Sequence, residues 1–429
     1  MSVGRVITVS SGKGGVGKST FAVNFALALS RVAPTILVDL DTGTSSIRNT
    51  IDAKVERDLY HFFRRDQPLH DCLTRLPEHL DPAGSFRDFA FVAAPLHAMD
   101  EFTNLSGRHR ARLMEAINAL PARYVVVDLR AGLDANVLDF LPHSNSGILI
   151  FTPHHPAATM AAADIVKALL FRKLRLVFAG DGPLAGSAGA GQQLRTINAL
   201  LDQVEDSYDD RIANLDAFLA DLSDAFGDAP IVRALADNVA SFRVHFVLNL
   251  FDGVHESFER AVKPFVASIQ SQVSAQIAIH NLGWIVNSAE IHEGNCRRRP
   301  VVLQSPAART PERAAPLAEI EALVKGVRGE AKARTGADRD YLLSVNRERA
   351  LFDQLEVLTA MHRDPAALQV RDNFAYIVRR ALHLLDALPA DRFGQRRLLT
   401  PEELVQTLLQ SVSGVTPAPD ADAGAALLP

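Results

Sequence analysis

A glycine-rich stretch near the start of the sequence, SSGKGGVGKST, has the residue types and spacing of a phosphate-binding loop. Gly12–Ser19 reads G-x-x-x-x-G-K-S and lies between the β-branched run Arg5–Ser11 and a helical pattern over Ser19–Leu29. Glycines let backbone N–H groups wrap a phosphate, and the N-terminus of the following helix favours its negative charge. In this motif Lys18 reaches the β and γ phosphates, and the Ser19 hydroxyl ligates Mg²⁺. The stretch therefore predicts binding of a nucleotide together with Mg²⁺.

The loop carries a second lysine, Lys13, at a position that the motif leaves free. Because Lys18 already serves the bound phosphates, a second ammonium at the start of the loop adds little to the cradle itself. One role that fits is to cross a subunit boundary and neutralise a partner's nucleotide, as an arginine finger does. The alternative is a solvated surface lysine.

Carboxylates end two further apolar runs that have the character of buried strands. Asp39 and Asp41 lie near the end of the stretch PTILVDLDTG, residues 34–43. Their spacing of two residues puts both on one face of an extended strand. Asp128 follows Tyr124–Val127, which is continuously apolar. An aspartate at the carboxyl end of such a strand is typical of a Walker B site, which binds Mg²⁺ through water. If their strands neighbour the first, these carboxylates arrive near the phosphates.

Strand-like and helical segments alternate along the chain. This alternation predicts an α/β fold with a doubly wound, mostly parallel sheet and flanking helices. Beyond the three strands above, we expect strands at Ser146–Pro153, Leu174–Gly180, Val244–Asp252 and Ala278–Val286.

The composition argues against several classes of protein. The 429 residues are 48% hydrophobic and 22% charged with a net charge of −5, which gives no reason to expect broad nucleic-acid binding. Cys72 and Cys296 lie far apart, so we expect a reducing compartment rather than a disulfide scaffold or a CxxC metal site. No apolar run reaches the roughly 18–20 residues that span a bilayer. The first residues are interpreted as a strand rather than as a signal peptide.

The loop sequence KGGVGKST resembles the deviant Walker A motif of the MinD/ParA family of P-loop ATPases, of the SIMIBI class. Three further stretches resemble the FlhG/FleN-like branch of that family: FVAAPLHAMDEFTNLSGRHRARLMEAINALPARYVVVDL, FTPHHPAATMAAADIVKALLFRKL and LGWIVNSAEIHEGNCRRRPVV. The resemblance covers roughly residues 3–325. It implies ATP and Mg²⁺ as cofactors and an ATP-dependent homodimer.

The resemblance also implies roles for particular residues. Lys13 would act across the dimer, Asp41 would position the attacking water, and Asp39 would help to hold the Mg²⁺ shell. Asn249, in the VLN of a later strand, would contact the adenine edge. The nucleotide-binding set is then Gly14, Gly15, Val16, Gly17, Lys18, Ser19, Thr20 and Asn249. The metal-binding set is Ser19, Asp39 and Asp128.

Two positions depart from the family's pattern. Arg130 stands in switch II where a small residue is usual, which puts the rate of hydrolysis in question. Asn287 and Ser288 stand where a proline and an acidic residue usually complete the adenine pocket.

The expected domain organisation places the ATPase domain at 1–325, with a helical insertion at about 181–240. A glycine-rich charged linker follows at 326–339, then a small helical C-terminal domain at 340–413 and a disordered tail at 414–429. The last helical pattern, Pro401–Val412, is amphipathic but carries Glu402 and Glu403 and no basic residue. Membrane binding through this helix is therefore not favoured, because such helices normally present Lys or Arg to anionic lipid.

We expect an ATP-binding, slowly hydrolysing dimerisation switch that controls the placement or number of a cellular structure, such as a division site or a flagellum. Hydrolysis is expected to be stimulated by a protein partner that contacts the C-terminal helices or the insertion. The expected location is the cytoplasm, with peripheral association at a membrane or a cell pole as the second option. Two alternatives stay open: a hydrolysis-deficient nucleotide-binding scaffold, and a ParA-type DNA partitioning ATPase. An iron–sulfur carrier is not favoured, because two scattered cysteines do not supply a cluster's ligands.

Overall fold

The structure is a computed structural model that describes residues 5–41, 46–97, 99–141, 145–177, 190–205, 212–227, 230–304, 346, 349–357 and 370–386. The predicted linker at 326–339, the helix Pro401–Val412 and the tail at 414–429 lie outside these residues.

One eight-stranded sheet forms the centre of the molecule, in the order β3-β4-β2-β5-β1-β6-β7-β8. Its strands are β1 (Arg5–Ser10), β2 (Thr35–Leu40), β3 (Thr74–Arg75), β4 (Phe89–Val92), β5 (Tyr124–Leu129), β6 (Asn145–Phe151), β7 (Arg243–Phe251) and β8 (Ala278–Val286). Neighbouring strands run parallel except for the short edge strand β3, which is antiparallel to β4. The central strands are buried along their whole length, as expected for a sheet covered by helices on both faces. The predicted doubly wound α/β fold is therefore confirmed.

Helices connect and cover the strands. They are α1 (Lys18–Ser30), α2 (Ser46–Thr50), α3 (Leu59–Arg64), α4 (Asp100–Thr103), α5 (Gly107–Asn118), α6 (Ala135–Phe140), α7 (Pro156–Val177), α8 (Ala190–Glu205), α9 (Leu215–Phe226), α10 (Pro230–Ser241), α11 (Val254–Ser257), α12 (Lys263–Gln272), α13 (Ala289–Cys296) and α14 (Val370–Asp386). A π-helical turn, Phe258–Val262, joins α11 to α12, and Val301–Leu303 forms a 3₁₀ turn after α13. Within the described residues, no helix is both long and apolar enough to cross a membrane.

The strand predicted at Leu174–Gly180 is wrong. Leu174–Val177 is the last turn of α7, and residues 178–180 lie outside the described part of the chain. Leu170 and Leu174 are both buried, one helical turn apart, so the helical spacing of the preceding residues continues through the apolar run. Arg175 also pairs with Asp202 and Glu205 of α8, which suits one face of a helix.

Most of the described part of the region predicted as an insertion is helical, in α8, α9 and α10. The buried side chains of α8 and α9 follow helical spacing: Leu194, Ile197, Leu201 and Val204, then Leu215, Phe218, Leu219 and Leu222. Asn214 caps α9, its side chain accepting from the N–H groups of Asp216 and Ala217. The limits of the insertion, and the division into domains, stay predictions.

The C-terminal helix α14 packs on the sheet and on α1. Phe374 is buried, and its ring centroid lies 6.0 Å from that of Phe21. Three side chains from this part of the chain bond to the backbone of the edge strand β8: Gln354 Nε2 donates to the Ile279 carbonyl, Arg380 Nε donates to the Asn281 carbonyl, and Asn373 Oδ1 accepts from the Val286 N–H. These contacts satisfy an edge that would otherwise be open to pairing with another strand.

Candidate functional site

The glycine-rich loop connects β1, near the middle of the sheet, to α1. Gly17 lies immediately before α1 with φ 82°, a conformation that favours glycine, and a Cβ on it would lie 2.2 Å from Asn249 Nδ2. A Cβ on Gly12 would lie 2.4 Å from the backbone of Ala161 in α7. The loop is therefore packed so closely between α7 and the end of β7 that side chains are excluded at both positions.

Lys18 lies at the centre of the site, in the first turn of α1. Its Nζ donates to Asp128 Oδ1 at 2.6 Å and to Asp41 Oδ2 at 3.2 Å, and it lies 3.4 Å from Ser19 Oγ. Burial is the largest influence on the Lys18 pKa and lowers it, but the two carboxylates outweigh burial and raise the pKa above its ordinary value. Lys18 is therefore a buried, charged ammonium held by anionic oxygens.

Asp39 and Asp128 are cross-strand neighbours on β2 and β5, and both are fully buried. Burial and the nearby Asp128 raise the pKa of Asp39 to about 7. Burial likewise raises the pKa of Asp128, while Lys18 opposes the rise. β5 lies between β2 and β1, so the strand of Asp39 and Asp41 is not the direct neighbour of β1. The carboxyl ends still meet, because Asp41 and Asp128 contact the same ammonium.

The residues present fit a phosphate with Mg²⁺. The Oδ2 atom of Asp128 is buried and has no hydrogen-bond partner among the described residues, although buried carboxylate oxygens are normally satisfied. Carboxylate and hydroxyl oxygens are the ligands that Mg²⁺ prefers, and Ser19, Asp39 and Asp128 supply them at one end of the sheet. The predicted metal-binding residues therefore lie together, and their role as ligands stays a prediction.

Lys13 is placed very differently from Lys18. Its side chain is exposed, as are Gly14 and Gly15 beside it, whereas Val16 is buried. The backbone of the loop start is fixed by the Ser11 hydroxyl, which donates to the Lys13 carbonyl at 3.0 Å. Lys13 therefore belongs to the outer surface of the loop, available to something outside this chain.

Asn249 lies at the end of β7 against the loop. Its Nδ2 donates to the Val16 carbonyl at 2.8 Å. In this structure the amide thus supports the loop backbone, and its predicted contact with the adenine edge is untested.

Arg130 follows Asp128 by two residues and forms an ion pair with Asp134, 3.2 Å away. Asp134 also caps α6, its Oδ1 accepting from the Val137 N–H. The guanidinium of Arg130 is therefore held at the start of α6 by a local partner.

Sequence reasoning missed one polar contact of the site. Asn295, at the end of α13, donates from Nδ2 to Thr20 Oγ1 at 3.2 Å. The two residues are 275 positions apart, and a lone asparagine before a run of arginines carries no sequence signal of this contact.

Part of this chain is similar in sequence to known proteins. The ParA family model, described as "NUBPL iron-transfer P-loop NTPase", matches residues 2–65. The flagellum site-determining protein YlxH of Helicobacter pylori is 27% identical over 38% of this chain and 52% of its own length. A putative septum site-determining protein MinD of Tupiella akineta is 25% identical over 39% of this chain and 52% of its own length. The chain is a relative of the MinD/ParA P-loop NTPases.

Solved structures that are similar to this MinD/ParA relative include the cell division ATPase MinD of Pyrococcus furiosus. That comparison covers 71% of this chain and 93% of the other at 15% identity, with a TM-score of 0.42. The chain spans about half the length of the curated relatives described above. The matched residues 2–65 contain the loop, Asp39 and Asp41, whereas Asp128 lies beyond them.

Proposed function

We propose that this MinD/ParA relative is an ATP-binding dimerisation switch that hydrolyses ATP slowly and controls the placement or number of a cellular structure. One observation carries the proposal: the two lysines of the loop are placed in opposite ways. Lys18 is buried on Asp128 and Asp41, while Lys13 is exposed on the loop's outer surface.

The buried cluster accounts for nucleotide and metal binding. Bound ATP with Mg²⁺ would supply a reactive γ-phosphoryl group and a cation that neutralises charge on it. Lys18 would pair with phosphate oxygens, and Asp39, Asp128 and Ser19 would hold the metal. Asp41, which is partly exposed beside Lys18, would orient the attacking water.

The exposed lysine accounts for dimerisation. Two loops facing each other would place Lys13 of each chain beside the nucleotide of its partner, where the ammonium offsets phosphate charge. Dimer formation would then depend on ATP, and hydrolysis would return the chain to the monomer.

Sedimentation velocity with a slowly hydrolysed ATP analogue and Mg²⁺ tests this proposal. We expect the wild type to sediment as a dimer and Lys13→Ala as a monomer that still binds nucleotide. Lys54→Ala is the matched control, since Lys54 is 86% exposed and lies outside the loop. A Lys13→Ala variant that dimerises like the wild type would make Lys13 a surface residue without a role in the switch.

The names of the similar proteins support the proposed cellular role. Proteins named for determining a flagellum site and a septum site are similar to this chain. We infer a peripheral place at a membrane or cell pole, reached through a protein partner that binds the C-terminal helices or the helical insertion. Tagged-protein localisation, with and without Lys18→Ala, tests that inference.

Three other functions are less well supported. A hydrolysis-deficient scaffold was suggested by Arg130, but the ion pair of Arg130 with Asp134 gives that cation a local structural role. DNA partitioning fits poorly with a net charge of −5. Iron transfer, which appears in the family model's description, needs thiolates, yet burial raises the pKa of Cys72 to about 11, and Cys296 is far away in sequence.

A further inference from the structure

The segment 289–304, which we call the α13 strap, lies against the first turns of α1. Asn295 Nδ2 donates to Thr20 Oγ1 at 3.2 Å, and the Val302 N–H donates to Asn24 Oδ1 at 3.1 Å. Asn24 Nδ2 in turn donates to the Thr20 carbonyl at 2.9 Å. Both oxygens of Thr20 therefore accept hydrogen bonds from side-chain amides. Thr20 is also the residue directly after Lys18 and Ser19.

Asn295 is held firmly within the strap. A Cβ on the preceding Gly294 would lie 2.7 Å from Gln304 Nε2 and 2.8 Å from the Arg299 carbonyl, so the chain is close-packed at this point. Arg298 bonds through its guanidinium to the Ile51 carbonyl at 3.1 Å and to Asp52 at 3.0 Å. The strap thereby joins α1 to the segment that follows α2, and Asn295 has little freedom to move.

The direction of the Asn295 bond has a chemical consequence. A hydroxyl has one hydrogen to donate and two lone pairs that accept. Because the Asn295 amide donates to a lone pair of Thr20 Oγ1, the hydroxyl hydrogen points to another side, and among the described residues Thr20 is seen only as an acceptor. In the first turn of α1, next to Lys18, the acceptor with the right chemistry is a phosphate oxygen.

We propose that Asn295 is a positioning residue that orients the Thr20 hydroxyl to donate to a phosphate oxygen of the nucleotide. This proposal rests on the proposed function and adds a residue to its site. Asn295 acts through Thr20 and does not itself contact the nucleotide.

Two substitutions separate this role from simple packing. Asn295→Ala removes the donor and lets the hydroxyl rotate, so we expect the Kd for ADP with Mg²⁺ to rise about threefold to tenfold. Asn295→Asp presents only acceptors. Its carboxylate would accept a hydrogen bond from the Thr20 hydroxyl, which could then not donate to a phosphate, and it would add negative charge near the phosphates. We expect it to raise the Kd further, by about thirtyfold or more. His292→Asp is the charge control, because it places a carboxylate on an exposed position of the same helix.

A double-mutant cycle with Thr20→Val decides whether the effect passes through the hydroxyl. Isothermal titration of the full chain with ADP and Mg²⁺ should give Thr20→Val and Thr20→Val/Asn295→Ala the same Kd. Equal losses from Asn295→Ala in both backgrounds would overturn the proposal, since packing alone would then explain the effect. Wild-type affinity in both Asn295 variants would also overturn it while leaving the proposed function intact. A wild type that binds no ADP would overturn the proposed function and this inference together.

Discussion

At the scale of single residues, the site consists of buried carboxyl groups whose negative charge is offset by one buried ammonium, that of Lys18. Asp39 and Asp128 are neighbours without access to water, and Lys18 is the cation between the strands and the loop. The sequence predicted which residues take part, because a phosphate-binding loop and strand-end aspartates have recognisable spacing. It did not predict Asn295, since a hydrogen bond across 275 positions leaves no local pattern.

Asp41 is the residue at which we predict different effects on nucleotide binding and on turnover. Its carboxylate is 22% exposed, the most accessible of the three aspartates, which suits a group that must meet water. We expect Asp41→Ala to bind ATP and dimerise but to release phosphate about a hundredfold more slowly than the wild type. Single-turnover phosphate release measures this rate, with Asp224→Ala on the exposed face of α9 as the control. Wild-type turnover in Asp41→Ala would move the catalytic role to another carboxylate, first of all Asp39.

At the scale of elements, strands at the sheet centre were predictable and the ends of helices were not. The β-branched run of β1 and the apolar runs Tyr124–Val127 of β5 and Ile148–Phe151 of β6 were correctly predicted as buried strands. The run at Leu174–Val177 is also rich in apolar residues but continues the buried face of α7 from Leu170. Helical spacing with the preceding turn decided the outcome, and an apolar run considered alone could not reveal it.

The pairing of β7 with β8 creates a pH-sensitive element. His245 and His280 are cross-strand partners with ring centroids 5.5 Å apart. Burial, then the neighbouring His280 and Arg243, lower the pKa of His245 to about 3. Burial, then Arg243 and Arg380, also lower the pKa of His280, while Asp353 opposes that shift. Both rings are therefore neutral in the folded state at pH 7.

Acid should destabilise the fold through these rings. Each unfolded histidine takes up a proton below about pH 6.5, whereas the folded ring, whose pKa is lowered, takes one up only at a lower pH, so stability is present above about pH 6.5 and is lost as pH falls. For His245 alone the loss between pH 7 and pH 5 is about 2 kcal/mol. Urea unfolding at both pH values, for the wild type, His245→Asn and the exposed control His70→Asn, measures it. The prediction fails if His245→Asn loses as much stability between the two pH values as the wild type does.

At the scale of the whole molecule, α14 packs on the core that carries the glycine-rich loop. Phe374, Ile377, Val378 and Ala381 are buried in the same apolar cluster as α1 and β8. The sequence indicated the amphipathic helix but could not indicate its partner, because an apolar stripe fits a neighbouring helix pair or a sheet equally well. A separate C-terminal domain at 340–413 stays a prediction, and the described helix α14 packs on the core.

Phe374→Ala tests whether α14 unfolds together with the core. We expect one cooperative transition with a free energy of unfolding lower by about 3–4 kcal/mol, because the change leaves a cavity against Phe21. Tyr376→Ala, at a half-buried position of the same helix, is the control and should cost less than half as much. An unchanged main transition would mean that α14 is energetically independent of the core that carries the Lys18 cluster.

The central claim is that the buried Lys18 cluster is a binding site for Mg²⁺ and nucleotide. Isothermal titration of the full chain with ATP and Mg²⁺ tests it most directly, comparing the wild type, Lys18→Ala and the surface control Lys54→Ala. Lys18→Ala should weaken ATP binding by about a hundredfold, since the charge that faces the phosphates is lost, and Lys54→Ala should bind like the wild type. Equal affinity in Lys18→Ala, or a wild type that binds no ATP, would contradict the account.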